Sequence, residues 1–376
     1  MIKIIIYCLL VYALLLTVNL VESRIETSSR SIDTGVATCS ADEECILHNK
    51  CDEVNKITRK RFLSIDERKY LRSRLCRYIN REHHFCCKKK IEKKRVLPEV
   101  PVCGLVFSDR IFSSSEDPYI DKYPWTAISM YTTPENKIES HCGGSLITER
   151  HVLTAAHCNF RVPKTWKISK VRLGEWDRRT NPDCMEFVNE QVCNDPFVDV
   201  QVMKVITHPN YKKESVNQFN DIAILELERD VKFTEWIKPI CLPVDLNIRN
   251  MNFTSHSVEV SGFKLTEKDV ESSSPTKKVF YLYVVEQEKC KANYASMKVD
   301  VTNAHICAGI EEKKEFCNPD SGGSLVKEGT FPSSKFAHYQ LIGIQSFGPE
   351  HCATTENPGV YTLVSPHMDW IIKNIN

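Results

Sequence analysis

Residues 317–324 read Cys317-Asn318-Pro319-Asp320-Ser321-Gly322-Gly323-Ser324, which sets a serine in a glycine-flanked turn. A serine hydroxyl is a weak nucleophile; it needs exposure and a neighbouring base before it can attack a carbonyl. Two further segments supply partners. Thr154-Ala155-Ala156-His157-Cys158 carries a histidine, and Asp221-Ile222-Ala223-Ile224-Leu225 carries an aspartate in a strand-like run. Alone, each has an ordinary structural reading: a satisfied core histidine, a capping aspartate. Together, in the order His157, Asp221, Ser321 with spacings of 64 and 100 residues, they fit a triad split over two β-barrels. The histidine would take the serine's proton, and the aspartate would hold the imidazole in the useful tautomer.

The surrounding pattern agrees with barrels. From Ile111 onward, short apolar stretches alternate with turn residues: WTAISMY, GGSLIT, KVRLG, VQVMKVITH, DIAILEL, VEVSGF, KVFYLYVV, YQLIGIQSFG and GVYTLV. Many short strands with no long amphipathic helices between them read as an all-β, antiparallel architecture. The tail VSPHMDWIIKNIN departs from this: Met368, Ile371, Ile372 and Ile375 share one face and predict a C-terminal helix docked on a barrel. Asn252-Phe253-Thr254 is the one glycosylation acceptor, placed on a loop.

Composition narrows the function classes. The 376 residues carry 50 Lys plus Arg against 49 Asp plus Glu, a net charge of +1, so no global field supports nucleic-acid binding. Hydrophobic residues at 42% are ample for a packed core. Beyond the N-terminus no apolar run is long enough to span a membrane. At the N-terminus itself, Met1-Ile2-Lys3, the 13-residue apolar run Ile4 to Leu16, and Val21-Glu22-Ser23 read as a secretory signal peptide over residues 1–23. The protein is therefore expected outside the cell.

Cysteine usage follows from that compartment. Of 17 cysteines, Cys8 leaves with the signal peptide, and the remaining 16 read as eight disulfides. Secretion argues against the alternative, a zinc cluster. Residues 24–38 are Ser/Thr/Arg-rich and aperiodic. Residues 39–87 hold Cys39, Cys45, Cys51, Cys76, Cys86 and Cys87, too few and too polar to fold by burial, so disulfides must supply what the core lacks. Six cysteines allow fifteen connectivities, and these residues do not choose among them. Within the module, DERKYLRSRLCRYI predicts a short helix with Tyr70, Leu71, Leu75 and Ile79 near one face. The basic run Lys88–Arg95, followed by Pro98 and Pro101, reads as a solvated linker over 88–110, with heparin-like polymer or acidic lipid as the competing use.

At this point a family resemblance carries further. The motifs HCGGSLITERHVLTAAHC, NDIAILEL, PICLP, DSGG and NPGVY make residues 111–376 similar to the secreted chymotrypsin-like (trypsin-like) serine proteases. Residues 39–87, closing on the adjacent Cys86-Cys87, resemble the clip domain of arthropod zymogens. The resemblance implies a chymotrypsin-like double antiparallel β-barrel preceded by a small disulfide-rich clip domain. It also implies pairings for all cysteines: Cys39–Cys86, Cys45–Cys76, Cys51–Cys87, Cys103–Cys241, Cys142–Cys158, Cys184–Cys193, Cys290–Cys307 and Cys317–Cys352.

The same resemblance places an activation cut between Arg110 and Ile111, with the new amine of Ile111 folding inward to Asp320. Where the family has Ile-Val-Gly-Gly, this chain has Ile111-Phe112-Ser113-Ser114. Around the nucleophile the family reads Gly-Asp-Ser-Gly-Gly-Pro, and this chain has Pro319 at the first place and Ser324 at the last. Proline has no N–H, so Pro319 removes one of the two oxyanion donors and leaves the Ser321 backbone N–H. In the specificity pocket Glu315 stands where trypsin-like members have an aspartate, Phe316 replaces a small residue, and Gly348 and Gly359 keep the pocket glycines. That implies a preference for cleaving after basic residues. Glu175 and Asp183 are a candidate calcium pair, and no cofactor is required. The implied role is a serine endopeptidase in an extracellular cascade of innate immunity, melanisation or Toll-type signalling. Its implied partners are an upstream activating protease, a protein substrate such as a downstream zymogen, and a serpin-type inhibitor. The alternative is a non-catalytic homologue acting as scaffold or cofactor, which Pro319, Phe316 and Ser113-Ser114 favour and the intact His157, Asp221 and Ser321 oppose.

Overall fold

The computed structural model describes residues 37–89, 95–105, 119–187, 190–263, 274–310, 320–330, 337–349 and 354–376. The signal-peptide segment, Arg110 to Ser114, Glu315, Phe316, Cys317, Pro319 and Cys352 lie outside the described residues. The chain divides into two compact units, with described residues up to Lys89 in the first and those from Arg95 in the second.

In the first unit, β1 (Glu43–Leu47) is followed by two helices, α1 (Asp52–Thr58) and α2 (Ile65–Arg74), and then by β2 (Leu75–Ile79) and β3 (Glu82–Lys88). The three strands form one antiparallel sheet in the order β1-β3-β2. Ser64 starts α2 with a capping box: its hydroxyl accepts the Glu67 N–H at 3.1 Å, and the Glu67 carboxylate accepts the Ser64 N–H at 2.9 Å. The core is small, Val54 and Phe85 with Cys51 and Cys87. Disulfides Cys39–Cys86, Cys45–Cys76 and Cys51–Cys87 close loops of 47, 31 and 36 residues. Loops of that size each restrict the unfolded chain by about 4 kcal/mol. The predicted helical face is corrected here. The helix ends at Arg74, because Leu75 joins the ladder opposite Phe85 and Cys76 is tied to Cys45. Leu71 and Leu75 still pack on the core, but Tyr70 donates to Glu53 at 2.8 Å and Ile79 is exposed.

The second unit is built on two closed antiparallel barrels of six strands. The first contains β4 (Thr126–Thr132), β5 (Ile138–Thr148), β6 (His151–Thr154) and β7 (Lys167–Leu173). A hairpin of β8 (Cys184–Phe187) and β9 (Glu190–Cys193) interrupts the order before β10 (Val198–Thr207) and β11 (Ala223–Leu227). The barrel runs β10-β11-β6-β5-β4-β7 and closes by pairing β7 with β10. A short α3 (Leu246–Arg249) leads to the second barrel. Its strands are β12 (Ser257–Gly262), β13 (Lys278–Val284), β14 (His305–Gly309), β15 (Ser324–Thr330), β16 (Ala337–Phe347) and β17 (Gly359–Leu363), with α4 (Gln287–Ala295) inserted after β13. Here the order is β12-β13-β14-β17-β16-β15, closed by β15 on β12. The final helix, α5 (Met368–Asn374), buries Met368 and Ile371 in the core shared with the first barrel, as the tail's periodicity predicts.

The proline-containing segment is not a free linker at its C-terminal end. Arg95 is ion-paired with Asp230 at 2.8 Å and Glu149 at 3.4 Å, Leu97 joins the core, and Cys103 is bonded to Cys241. Gly104 has φ of +69°, and a side chain there would collide with the backbone of Tyr339. Residues 95–105 are thus a strap laid on the second unit. Arg95 and Arg150 also surround His151, whose ring bonds Thr148 at 2.8 Å.

Burial first, and these cations second, push the His151 pKa down to about 4. The unfolded chain therefore binds a proton between pH 6.5 and 4 that the native state refuses, and stability falls as pH drops through that window. In chemical-denaturation curves His151→Gln should remove on the order of 2 kcal/mol of that acid loss. An unchanged pH slope would exclude His151 as its source.

Candidate active site

Strand register explains how residues 64 apart meet. Strands β6 and β11 pair with Thr154 opposite Ala223. His157 follows Thr154 on a single 3-10 turn (Ala156–Asn159), and Asp221 directly precedes β11, so both emerge at the same end of one barrel. Asp221 is fully buried. One carboxylate oxygen accepts the His157 backbone N–H at 2.8 Å; the other accepts from His157 Nδ1 at 2.7 Å and from the Ser346 hydroxyl at 2.5 Å. Three donors compensate the burial of the carboxylate and fix the ring. With Nδ1–H given to Asp221, the lone pair of His157 is on Nε2, the atom a general base needs.

Ser321 arrives from the second barrel, just ahead of β15. Its carbonyl accepts the Gly143 N–H at 2.8 Å and lies 3.6 Å from Cys158 Sγ, whose disulfide to Cys142 adjoins His157. The turn is shaped by Gly323 N–H to the Asp320 carbonyl at 2.8 Å and Gly322 N–H to the Gln345 carbonyl at 3.0 Å. Gly322 has φ of +77°, and a Cβ there would come 2.8 Å from the Gly143 carbonyl oxygen. In this single-chain form the Asp320 carboxylate accepts the Phe263 backbone N–H at 2.7 Å.

Two contributors have no sequence signal of the kind that marks His157. Ser346 donates to Asp221, and Thr362 donates to the Asp221 carbonyl at 3.0 Å. Both are buried polar residues, and a serine or threonine at a strand position carries no mark of its own in the sequence. Gly348 and Gly359 lie close together: a Cβ built on Gly348 would be in van der Waals contact, 3.7 Å, with the Gly359 Cα. Beneath them Tyr361 is buried, its hydroxyl without a hydrogen-bond partner among the described residues.

The candidate calcium pair is partly engaged by protein donors. Asp183 accepts from the Trp176 and Asp177 N–H groups, each at 2.9 Å, from Thr180 at 2.8 Å and from Asn194 at 3.3 Å. Glu175 takes the Arg172 guanidinium at 3.1 Å. Burial, then the Asp183 charge, raises the Glu175 pKa. Burial lowers that of the enclosed Lys277 to about 8, with Glu175 and Asp183 opposing the shift. Asp183 thus carries four protein donors, while Glu175 Oε1 is buried without a hydrogen-bond partner among the described residues. Asn252 is exposed on the loop before β12, where its side chain accepts the Thr254 N–H at 2.9 Å.

Comparison with known proteins agrees with this geometry. The family model described as Trypsin matches residues 113–371, and that described as the regulatory CLIP domain of proteinases matches residues 43–87. Among curated relatives, "Serine protease ea" of Drosophila melanogaster is 37% identical over 82% of this chain and 82% of its own length. "Melanization protease 1" of the same organism is 35% identical over 88% of this chain and 90% of its own. Among solved structures, the Drosophila Grass clip serine protease of the Toll pathway superposes with a TM-score of 0.62 at 26% identity, covering 90% of this chain and 96% of that one.

Proposed function

Because the chain belongs to the trypsin family of serine proteases and carries a clip domain ahead of the protease, we propose that it is a secreted zymogen activated by cleavage between Arg110 and Ile111. The observation that carries the catalytic assignment is the buried Asp221 carboxylate holding His157 by both backbone and ring, beside the Ser321 turn. His157 Nε2 takes the Ser321 proton as Oγ attacks the scissile carbonyl. The same nitrogen returns the proton to the leaving amine, and water then hydrolyses the acyl-enzyme by the reverse roles. No cofactor enters these steps.

Activation has a local counterpart in the Asp320 carboxylate, which the Phe263 N–H holds in the uncut chain. The freed Ile111 amine would compete for it with a full positive charge, adding an ion-pair attraction that a backbone N–H lacks. The proposed specificity is for a basic residue on the acyl side of the bond, read by Glu315, with Gly348 and Gly359 as the pocket glycines. Relatives named for melanization and the Toll pathway support an immune cascade, with an upstream protease, a downstream zymogen substrate and a serpin-type inhibitor as partners.

The test is to cleave the purified chain after Arg110 and treat it with a fluorophosphonate. Ser321 should be labelled in the cut form, and hydrolysis should appear only after the cut. On a non-reducing gel the fragment ending at Arg110 should stay attached, because Cys103–Cys241 crosses the cleavage point, and thiol should release it. A cut form with Ile111 as its terminus that neither labels nor hydrolyses would overturn the assignment. Tethering keeps the clip unit at high effective concentration near the protease.

A further inference from the structure

Isolated exposed apolar side chains are ordinary on a protein surface. In the first unit two of them lie close in sequence and among cations. Phe62 is 82% exposed and Ile65 is 83% exposed, the highest fractions of any large apolar side chain among the described residues. Phe62 stands in the loop between α1 and α2, and Ile65 begins α2. Arg59, Lys60 and Arg61 lead into Phe62, and the Arg61 guanidinium lies 5.9 Å from the centre of its ring. On α2, Ile65 shares a face with Arg68, Lys69 and Arg72, at positions i, i+3, i+4 and i+7, and all four are exposed. Leu71 and Leu75 pack on the small core instead.

The loop is braced at both ends. The Lys60 N–H donates to the Ile57 carbonyl at 3.1 Å, and Arg68 Nε donates to the Leu63 carbonyl at 3.2 Å. Lys60 Nζ meets the Glu67 carboxylate at 2.6 Å, so that acid is neutralised within the unit. Asp66 is the other acid of α2, and it is exposed. Arg59, Arg61, Lys69 and Arg72 form no ion pair among the described residues. Residues 37–89 hold thirteen Lys and Arg against eight Asp and Glu, in a chain whose net charge is +1. The positive charge is therefore concentrated in this unit.

An anionic bilayer satisfies both halves of such a surface. Headgroup charge attracts the cations, and the acyl boundary takes the apolar side chains out of water. A sulfated polysaccharide would use the cations and leave Phe62 and Ile65 in water. We propose that the α1–α2 loop and the outward face of α2 dock the first unit on an anionic phospholipid surface. Phe62 and Ile65 enter the interface, while Arg59, Arg61, Arg68, Lys69 and Arg72 face the headgroups. This docking is independent of the triad and of the activation cut.

The experiment is co-sedimentation of the full uncut chain with two kinds of vesicle. One is phosphatidylcholine alone; the other contains about 30% phosphatidylserine. Binding to the anionic vesicles is expected to be at least about tenfold tighter than to the neutral ones. Phe62→Ala should weaken it about tenfold, the effect of returning one aromatic side chain to water. Arg59→Gln combined with Arg61→Gln should weaken it about thirtyfold, and added salt should act in the same direction. All three side chains are exposed, so these variants leave the core and the disulfides intact. Absence of binding to the anionic vesicles, or equal binding to both kinds, would overturn the proposal. Affinity unchanged in both variants would place the contact elsewhere, such as the run Lys88–Arg95, and would overturn it equally. Retention on heparin that needs Arg59 and Arg61 but not Phe62, without vesicle binding, would assign the face to a sulfated polymer and overturn the lipid assignment.

Discussion

Asp221→Asn in the cleaved protein should lower kcat by about four orders of magnitude while leaving KM nearly unchanged. Three groups donate to the Asp221 carboxylate: the His157 N–H, His157 Nδ1 and the Ser346 hydroxyl. An asparagine amide offers one acceptor atom and replaces the other with a donor. The ring can satisfy that donor only by exposing a lone pair on Nδ1, which puts its proton on Nε2 and removes the lone pair a general base needs there. Substrate binding surfaces are untouched, so the effect belongs in kcat. Steady-state kinetics at pH 8 with a basic ester substrate would measure it, with circular dichroism to show that the barrels are intact. A loss below about tenfold would mean that His157 is oriented by something other than Asp221.

Restoring glycine at position 319 should act in the opposite direction. Pro319→Gly is expected to raise kcat/KM by roughly tenfold to a thousandfold, the range associated with one oxyanion donor. The gain should appear mainly in kcat, because the N–H matters most once negative charge has developed on the tetrahedral intermediate. Ser321→Ala in the same background should abolish the gained activity. A fall in activity on introducing glycine would show that the turn has found its second donor elsewhere, and this account of Pro319 would then fail.

The His157–Asp221 pairing and the barrels were legible because each is written in local chemistry. His157, Asp221 and Ser321 are ordinary singly and informative in their order and spacing, and alternating apolar strands declare themselves by period. The strap was not legible. Lys88–Arg95 has the composition of a solvated run, and nothing in it marks Arg95 as the residue that meets Glu149 and Asp230, which lie far away in sequence. The end of α2 was missed for a similar reason: helical periodicity continues through Leu75 and Ile79, but a long-range disulfide and a strand partner override it. Ser346 was invisible because a strand serine is recognisable only when the buried charge it serves is known.

The Gly143 N–H to Ser321 carbonyl bond crosses from one barrel to the other. A Cβ on Gly143 would come 3.2 Å from the Asp320 side chain and 3.3 Å from the Gly323 Cα, so the two barrels meet backbone to backbone at the nucleophile. The cleft is therefore a seam, where local breathing of either barrel alone is blocked by the other. Amide protons there are expected to exchange with solvent only when the barrels part, so that thermal inactivation should coincide with loss of tertiary structure at the seam.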